Sequence, residues 1–179
     1  LLPFGYFFAP DPASQKVSTL AGNVAMNAGG PYCLKYGVTV NHVTGLEMIT
    51  PDGQKVTFGG KTSEHPGYDI LGIMNGSEGT LGILTRLYLK ILPKPNSLET
   101  LLVSFPTIES AGRAVSAIIA NGILPATLEY MDNLCIRTVV QSLDVDYPVD
   151  AAAVLIVEVD GYPRSIERQI KAIEHLCKH

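Results

Sequence analysis

The chain has 179 residues, of which 46% are hydrophobic and 17% charged, with a formal net charge of −4 and a pI near 5.5. Such a composition builds a buried core and excludes a disordered chain. The lysines and arginines are dispersed, which excludes the clustered basic face that tracks nucleic-acid phosphates or an anionic membrane surface, so any anion site must rely on backbone N–H groups.

The length admits one large domain or two small ones. Cys33, Cys135 and Cys177 are widely spaced and odd in number; they read as free, packed thiols of a reducing compartment, not as a zinc site or a disulfide framework. No run reaches the 18 or so apolar residues of a membrane span. The apolar opening, Leu1 to Ala9, lacks the basic region and cleavage site of a signal peptide. It also lacks an initiator Met, so the chain reads as starting inside a longer protein.

Small residues dominate Lys16 to Asn27, and Gly29-Gly30-Pro31 follows as a turn cluster. Val38 to Ile49 is expected to be a strand, with Pro51-Asp52-Gly53 turning it into a second strand at Lys55 to Phe58, as a hairpin. A loop then runs from Gly59-Gly60 through Pro66-Gly67 to one or two helical turns at Ile70 to Met74, and Ile83 to Leu92 is the next strand. The two prolines of Pro93-Lys94-Pro95-Asn96 fit neither a helix interior nor a central strand, so the domain boundary is placed there, giving domains 1–95 and 96–179.

The second half alternates. Thr100 to Phe105 is a strand; Thr107 to Asn121 is an amphipathic helix with Gly122 as its stop; Ala126 to Tyr130 is a short strand. Asp132 opens a helix through Leu143, the near-continuous apolar run Ala151 to Val159 is a strand buried on both faces, and Ser165 to Leu176 is a closing helix. This half is an α+β or α/β layer that needs more chain to complete its sheet.

Two segments carry chemistry. Gly76-Ser77-Glu78-Gly79-Thr80-Leu81-Gly82-Ile83 spaces three glycines by three just before a strand, a pattern that lets backbone N–H groups turn outward around a diphosphate or simply makes a tight turn. It is neither a P-loop nor a Rossmann fingerprint, because no Gly-Lys-Ser/Thr follows and a strand, not a helix, comes next. The stretch from Pro10-Asp11-Pro12 through Ser18-Thr19-Leu20-Ala21-Gly22-Asn23 to Asn27-Ala28-Gly29-Gly30 is dense in small and hydroxyl residues, as suits either a backbone lying flat against a ligand or an ordinary polar loop.

Together, FFAPDPASQKVSTLAGNVAMNAGGPYCLKYGVTVNHV, PGYDILGIMNGSEGTLGI and LKILPKP resemble the FAD-linked oxidases of the vanillyl-alcohol oxidase superfamily, in the branch that oxidises glycolate or D-lactate. ANGILPATLEYMDNLCIR and YPVDAAAVLIVEVDGYP are similar to the start of that family's C-terminal substrate domain, so the likeness covers nearly all of the chain. The resemblance implies an α+β fold: the second half of a PCMH-type FAD-binding domain followed by the start of a ferredoxin-like substrate domain. It implies non-covalent FAD lined by Asp11, Ser18, Thr19, Gly22, Asn23, Gly29 and Ile83, with Gly76, Glu78, Gly79 and Gly82 shaping the adjoining loop and Lys35-Tyr36-Gly37 beside it.

The reaction so implied is oxidation of a small 2-hydroxy acid to the 2-oxo acid, with electrons leaving through partner subunits and the protein in the cytoplasm, held near the inner membrane only by those partners. The family's first diphosphate loop, upstream of Pro-Asp-Pro, and its downstream His-x-His segment have no match in this sequence. His42, His65, His175 and His179 fit no part of that motif and show no metal spacing, so surface or packing roles are expected, and no catalytic residue or metal ligand is assigned. Glu129, Tyr130 and Asp132, near a strand end, are read as surface and packing residues before substrate contacts. By itself the chain is expected to bind FAD weakly, and its open sheet edges are expected to pair with another copy. The alternative is a non-catalytic scaffold or binding module that kept the fold without the cofactor; a superfamily member acting on a sugar-nucleotide enol ether fits the second half poorly.

Overall fold

The structure, a computed structural model, describes residues 1–62 and 67–178. The expectations for His65, Pro66 and His179 lie outside the described residues. The chain divides into two compact units, Leu1–Lys94 and Pro95–His179.

In the first unit a two-residue strand, β1 (Tyr6–Phe7), precedes helix α1 (Leu20–Ala25) and the single turn α2 (Cys33–Tyr36). Next come β2 (Val43–Ile49), β3 (Lys55–Gly59), helix α3 (Ile70–Met74), β4 (Ile83–Leu89) and β5 (Leu92–Pro93). β2 is the centre of an antiparallel sheet ordered β3-β2-β4, and β1 pairs separately with β5. Leu46 and Met48 of β2 point to one face, where Val24 of α1 and Leu71 of α3 close a core with Val56, Phe58, Leu84 and Leu87. The period of two along β2 leaves Glu47 on the other face.

The hairpin of β2 and β3 forms as the Pro-Asp-Gly turn demands, with Gly53 at φ 79. The strand expected from Val38 starts later, because residues Thr39–His42 form a 3-10 turn. Polar partners hold that turn: Asn41 Oδ1 accepts from the Val38 amide (3.0 Å) and Asn27 Oδ1 from the Val40 amide (2.9 Å). Side-chain acceptors of this kind outcompete a ladder that offers no neighbouring strand. The strand expected from Ile83 to Leu92 is two strands, β4 in the sheet and β5 against β1, and Pro93 sits in that short edge pair, where its missing N–H is tolerated.

The second unit contains β6 (Ser97–Phe105), α4 (Ile108–Ala120), β7 (Thr127–Asp132), α5 (Asn133–Ser142), β8 (Ala153–Gly161) and α6 (Pro163–Leu176). All pairings are antiparallel in the order β6-β8-β7, so this half is α+β. β8 is central and buried along most of its length, as its continuous apolar sequence requires. Its Ala153, Leu155, Val157 and Val159 pack on Ala111, Ala114 and Ile118 of α4 and Ile166 and Ile173 of α6. Thr107 caps α4 by accepting from the Ser110 amide, and Asp132 caps α5 by accepting from the Cys135 amide (2.8 Å).

Candidate cofactor site

The small-residue stretch forms a capped helix and not a flat run. Thr19, in extended conformation, accepts at Oγ1 from the Gly22 amide (2.9 Å) and starts α1. A Cβ on Gly22 would lie 3.2 Å from that oxygen, so the small residue keeps room for the cap. Asn23 is buried within α1, and its carbonyl accepts from the Ala28 amide (2.8 Å) as the helix ends. The flatness expected of the backbone is realised against the chain's own segment. A Cβ on Gly30 would fall 1.8 Å from the Asp11 carbonyl oxygen, and one on Gly29 would fall 2.7 Å from the Cys33 sulfur. Asp11 and Gly30 are thereby brought side by side, with Gly29 next in the chain, and the Asp11 carboxylate accepts a hydrogen bond from the Gln15 side chain.

The second glycine segment docks on the first. The Gly76 amide donates to the Val24 carbonyl (2.9 Å), which also accepts from the Asn27 amide, and the Glu78 amide donates to the Ala25 carbonyl (2.8 Å), satisfying an orphan carbonyl at the end of α1. These two amides therefore point into the protein and are not available to a diphosphate, so this part of the segment serves as the tight turn that the spacing also allowed. Gly82, at φ 150, lies against β2, where a Cβ would meet the Ile49 carbonyl oxygen at 2.5 Å. Gly79, at φ 75, has open space where a Cβ would stand. The two bends thus close together, but through a backbone clasp between them.

The other end of α1 carries an unsatisfied group. Ser18 Oγ, adjoining the Thr19 cap, is buried and has no hydrogen-bond partner. Beside it in sequence Leu20 is 49% exposed, and on the docked segment Ile83 is 71% exposed. An unsatisfied hydroxyl costs about 1–3 kcal/mol when buried, and bare Leu and Ile side chains gain by being covered. An orphaned hydroxyl on one segment and uncovered apolar groups on both suit a ligand that is flat and apolar in one part and polar in another. FAD has that character, and the residues present fit it.

Lys35 and Tyr36 lie in α2, with the Lys35 ammonium 5.3 Å from the Tyr36 ring centre. Tyr36 stacks edge-on with Phe7 and Tyr32. His42 is 3% exposed; its Nε2–H donates to the Tyr36 carbonyl (2.8 Å) and its ring meets Phe8 edge-on, a packing role. His175 is exposed on α6. In the second unit the Asp132 carboxylate is used by its helix cap, Tyr130 is partly exposed, and Glu129 is exposed. Among the described residues no three His, Cys, Asp or Glu side chains converge as a metal site, and no helix is long and apolar enough to cross a membrane.

Sequence reasoning placed Asn27 in the small-residue stretch without a role of its own and did not single out Asn75. Asn27 adopts φ 46 and ties α1 to the 3-10 turn through Val40; its place after a helix and before glycines was the available signal. Asn75 is buried, donates from Nδ2 to the Leu71 carbonyl (2.8 Å), and leaves Oδ1 without a partner. Nothing in the sequence marks Asn75 as buried.

Known proteins place this chain. The profile described as FAD binding domain matches residues 1–59, and that described as FAD linked oxidases, C-terminal domain, matches residues 94–179. The chain is 45% identical over 174 residues to glycolate oxidase subunit GlcD of Escherichia coli (strain K12), covering 97% of this chain and 35% of that protein. It is 43% identical to the Bacillus subtilis (strain 168) subunit of the same name, and 37% identical over 134 residues to a D-lactate dehydrogenase of Archaeoglobus fulgidus, covering 74% of this chain and 30% of that enzyme. The chain spans about a third of the length of these relatives. A solved alkyldihydroxyacetonephosphate synthase shares the fold, with a TM-score of 0.80 at 22% identity over 99% of this chain and 35% of that one. With an FAD-binding profile and a C-terminal FAD-linked oxidase profile matched in order along its length, and relatives that align through both units, the chain belongs to the FAD-linked oxidase family.

Proposed function

We propose that this chain is part of a flavin-dependent oxidoreductase that oxidises a small 2-hydroxy acid, glycolate or D-lactate, to the 2-oxo acid. Residues 1–95 form part of the FAD-binding domain and residues 96–179 part of the substrate domain. The observation that carries the reading is the collinear match, 45% identical over 174 residues, to a subunit of glycolate oxidase. The orphaned Ser18 hydroxyl before α1, and the docking of the second glycine segment on the end of that helix, support it physically.

When bound, FAD supplies the two-electron acceptor for the substrate carbon that bears the hydroxyl. This chain's part is positional. Ser18 and Thr19 offer hydroxyls, and Ile83 offers an apolar surface to the cofactor. Asp11, Gly22, Asn23 and Gly29 fix the bend that carries them, and Gly76, Glu78, Gly79 and Gly82 form the adjoining loop. No residue of the chain is assigned as the base that takes the hydroxyl proton. Electrons pass to partner subunits, as the word subunit in the relatives' names suggests, and the compartment is cytoplasmic, in keeping with three free cysteines.

The test is spectroscopic. Full-length protein containing this chain should purify yellow and bleach anaerobically on addition of glycolate or D-lactate. A folded, colourless protein that takes up no FAD would put the scaffold reading in its place.

A further inference from the structure

In the second unit, helices α4 and α6 lie side by side on the face of the sheet that buries Leu155 and Val157. They are antiparallel: α4 follows the Phe105 end of β6, whereas α6 follows the Gly161 end of β8, which pairs with Ser97. A second row on each helix borders the seam between them. On α4 it contains Ser110, Arg113 and Ala117, and on α6 it contains Ser165, Arg168, Ala172 and His175, each at the spacing of one helical face. Two open hollows follow the seam, of about 400 Å³ beside Asn121 and Ile123 and about 540 Å³ beside Phe105, and both are lined by His175 and Leu176. From Ser110 to Asn121 the furrow covers about 16 Å, or about three turns of helix.

The furrow has charge of one sign. The chain as a whole carries 17 acidic and 13 basic residues. Yet no Asp or Glu lines either hollow, whereas Arg113, Arg168 and Lys178 do. All three are exposed, and among the described residues none has an ion-pair partner. Glu167 of α6 lies outside both hollows and is taken by Lys171 (2.6 Å). The floor is apolar: Ala114 is buried, and Ala117, Ala172 and Leu176 are half-buried. Alanines on both walls let another backbone approach, and a furrow between two helices receives a third by packing of ridges into grooves. An occupant with an apolar stripe flanked by carboxylates meets both the floor and the unpaired guanidinium groups.

Resting on the reading above that electrons pass to partner subunits, we propose that the α4–α6 furrow is the docking site of another subunit of the oxidase, which lays an amphipathic helix with acidic flanks along it. Arg113 and Arg168 pair with those carboxylates and fix the register and salt dependence of assembly, while the alanine floor takes the apolar stripe.

The test uses the full-length protein purified from its source organism together with its co-purifying subunits. With p-benzoylphenylalanine in place of Ala117, illumination should join position 117 to an acid-flanked helical segment of another subunit, identified by mass spectrometry. In a second arm, Arg113→Glu with Arg168→Glu should keep its bound flavin but bind those subunits about tenfold or more weakly, and the weakening of assembly by salt seen in wild type should be lost. Arg113→Lys with Arg168→Lys should assemble as wild type does. Should the Glu pair disturb folding, the crosslink decides by itself. Flavin content is read separately: a colourless protein that still crosslinks to a second subunit ends the flavin reading and leaves the docking site standing. A full-length protein that purifies without other subunits, a crosslink from position 117 only to this chain itself, no crosslink at all, or wild-type affinity and salt dependence in a folded Glu pair each overturn the proposal.

Discussion

Glu47 stands on the outer face of the β3-β2-β4 sheet, yet it is only 7% exposed, because Lys55 of β3 and Arg86 of β4 reach over it from both sides at 2.7 and 2.9 Å. The Lys55 hydrogen bond, helped by the Arg86 charge, holds the Glu47 carboxyl below its ordinary value of 4.5. A depressed folded value means that the charged form stabilises the fold above the unfolded pKa and that this is lost as pH falls through the folded one. Glu47→Gln should therefore lower the urea midpoint at about pH 7, and the gap to wild type should shrink as the pH is taken down through the folded value. A gap that stays the same as the pH falls would mean that packing, not charge, is what Glu47 contributes. Gly30 is a second residue-scale case. Its neighbour is the Asp11 carbonyl, which cannot swing aside as a side chain does, so Gly30→Ala should prevent the 9–30 segment from closing. The expected outcome is full-length protein that lacks bound FAD while the second unit stays folded; normal flavin content in that variant would refute the close approach.

At the scale of elements, the caps show how far local sequence reaches. Thr107 and Asp132 were legible as helix starts, because a hydroxyl or carboxylate before an apolar-periodic run satisfies orphan amides wherever the helix ends up. Thr19 does the same for α1, which the sequence concealed: six residues, LAGNVA, are too short and too glycine-interrupted to show a helical period. Helix α4 owes its place to Ala111, Ala114 and Ile118, which lie against β8. Ile118 is fully buried, and Ile118→Ala should destabilise the second unit by about 2–5 kcal/mol in denaturant titration, since the cavity adds to the lost transfer energy. A cost under about 1 kcal/mol would show that the site collapses around the smaller residue. Cys135 is exposed on α5, whereas burial pushes the Cys177 thiol up, so a thiol reagent should label Cys135 well before Cys177 in mass spectrometry. Equal labelling rates would contradict the packing of Cys177 against the α4–α6 core.

At the scale of the whole molecule, two cores that share no residue, one around Leu46 and Met48 and one around Leu155 and Ile118, fall on either side of Lys94. Each core has its own sheet, and Ile118→Ala should lower the transition of one while leaving the other in place when the chain is followed by calorimetry. A single two-state transition, with equal calorimetric and van't Hoff enthalpies, would show that the units unfold as one.

The sequence by itself determined the longer helices and strands, the hairpin at Pro51-Asp52-Gly53 and the FAD-linked family, while the antiparallel order β6-β8-β7 chose α+β over α/β for the second half. These follow from periodicity, turn chemistry and motifs that act within a few residues or along a linear string. Only the tertiary structure decided what the glycines are for. Spacing shows that a backbone approaches something closely, but whether the neighbour is a ligand or the chain's own carbonyl depends on contacts some 50 residues apart, such as Gly76 on Val24 and Glu78 on Ala25. Periodicity places Glu47 on the outer face, but only the strands that flank β2 could bring Lys55 and Arg86 over it, because the register of neighbours is set by packing and not by any local preference.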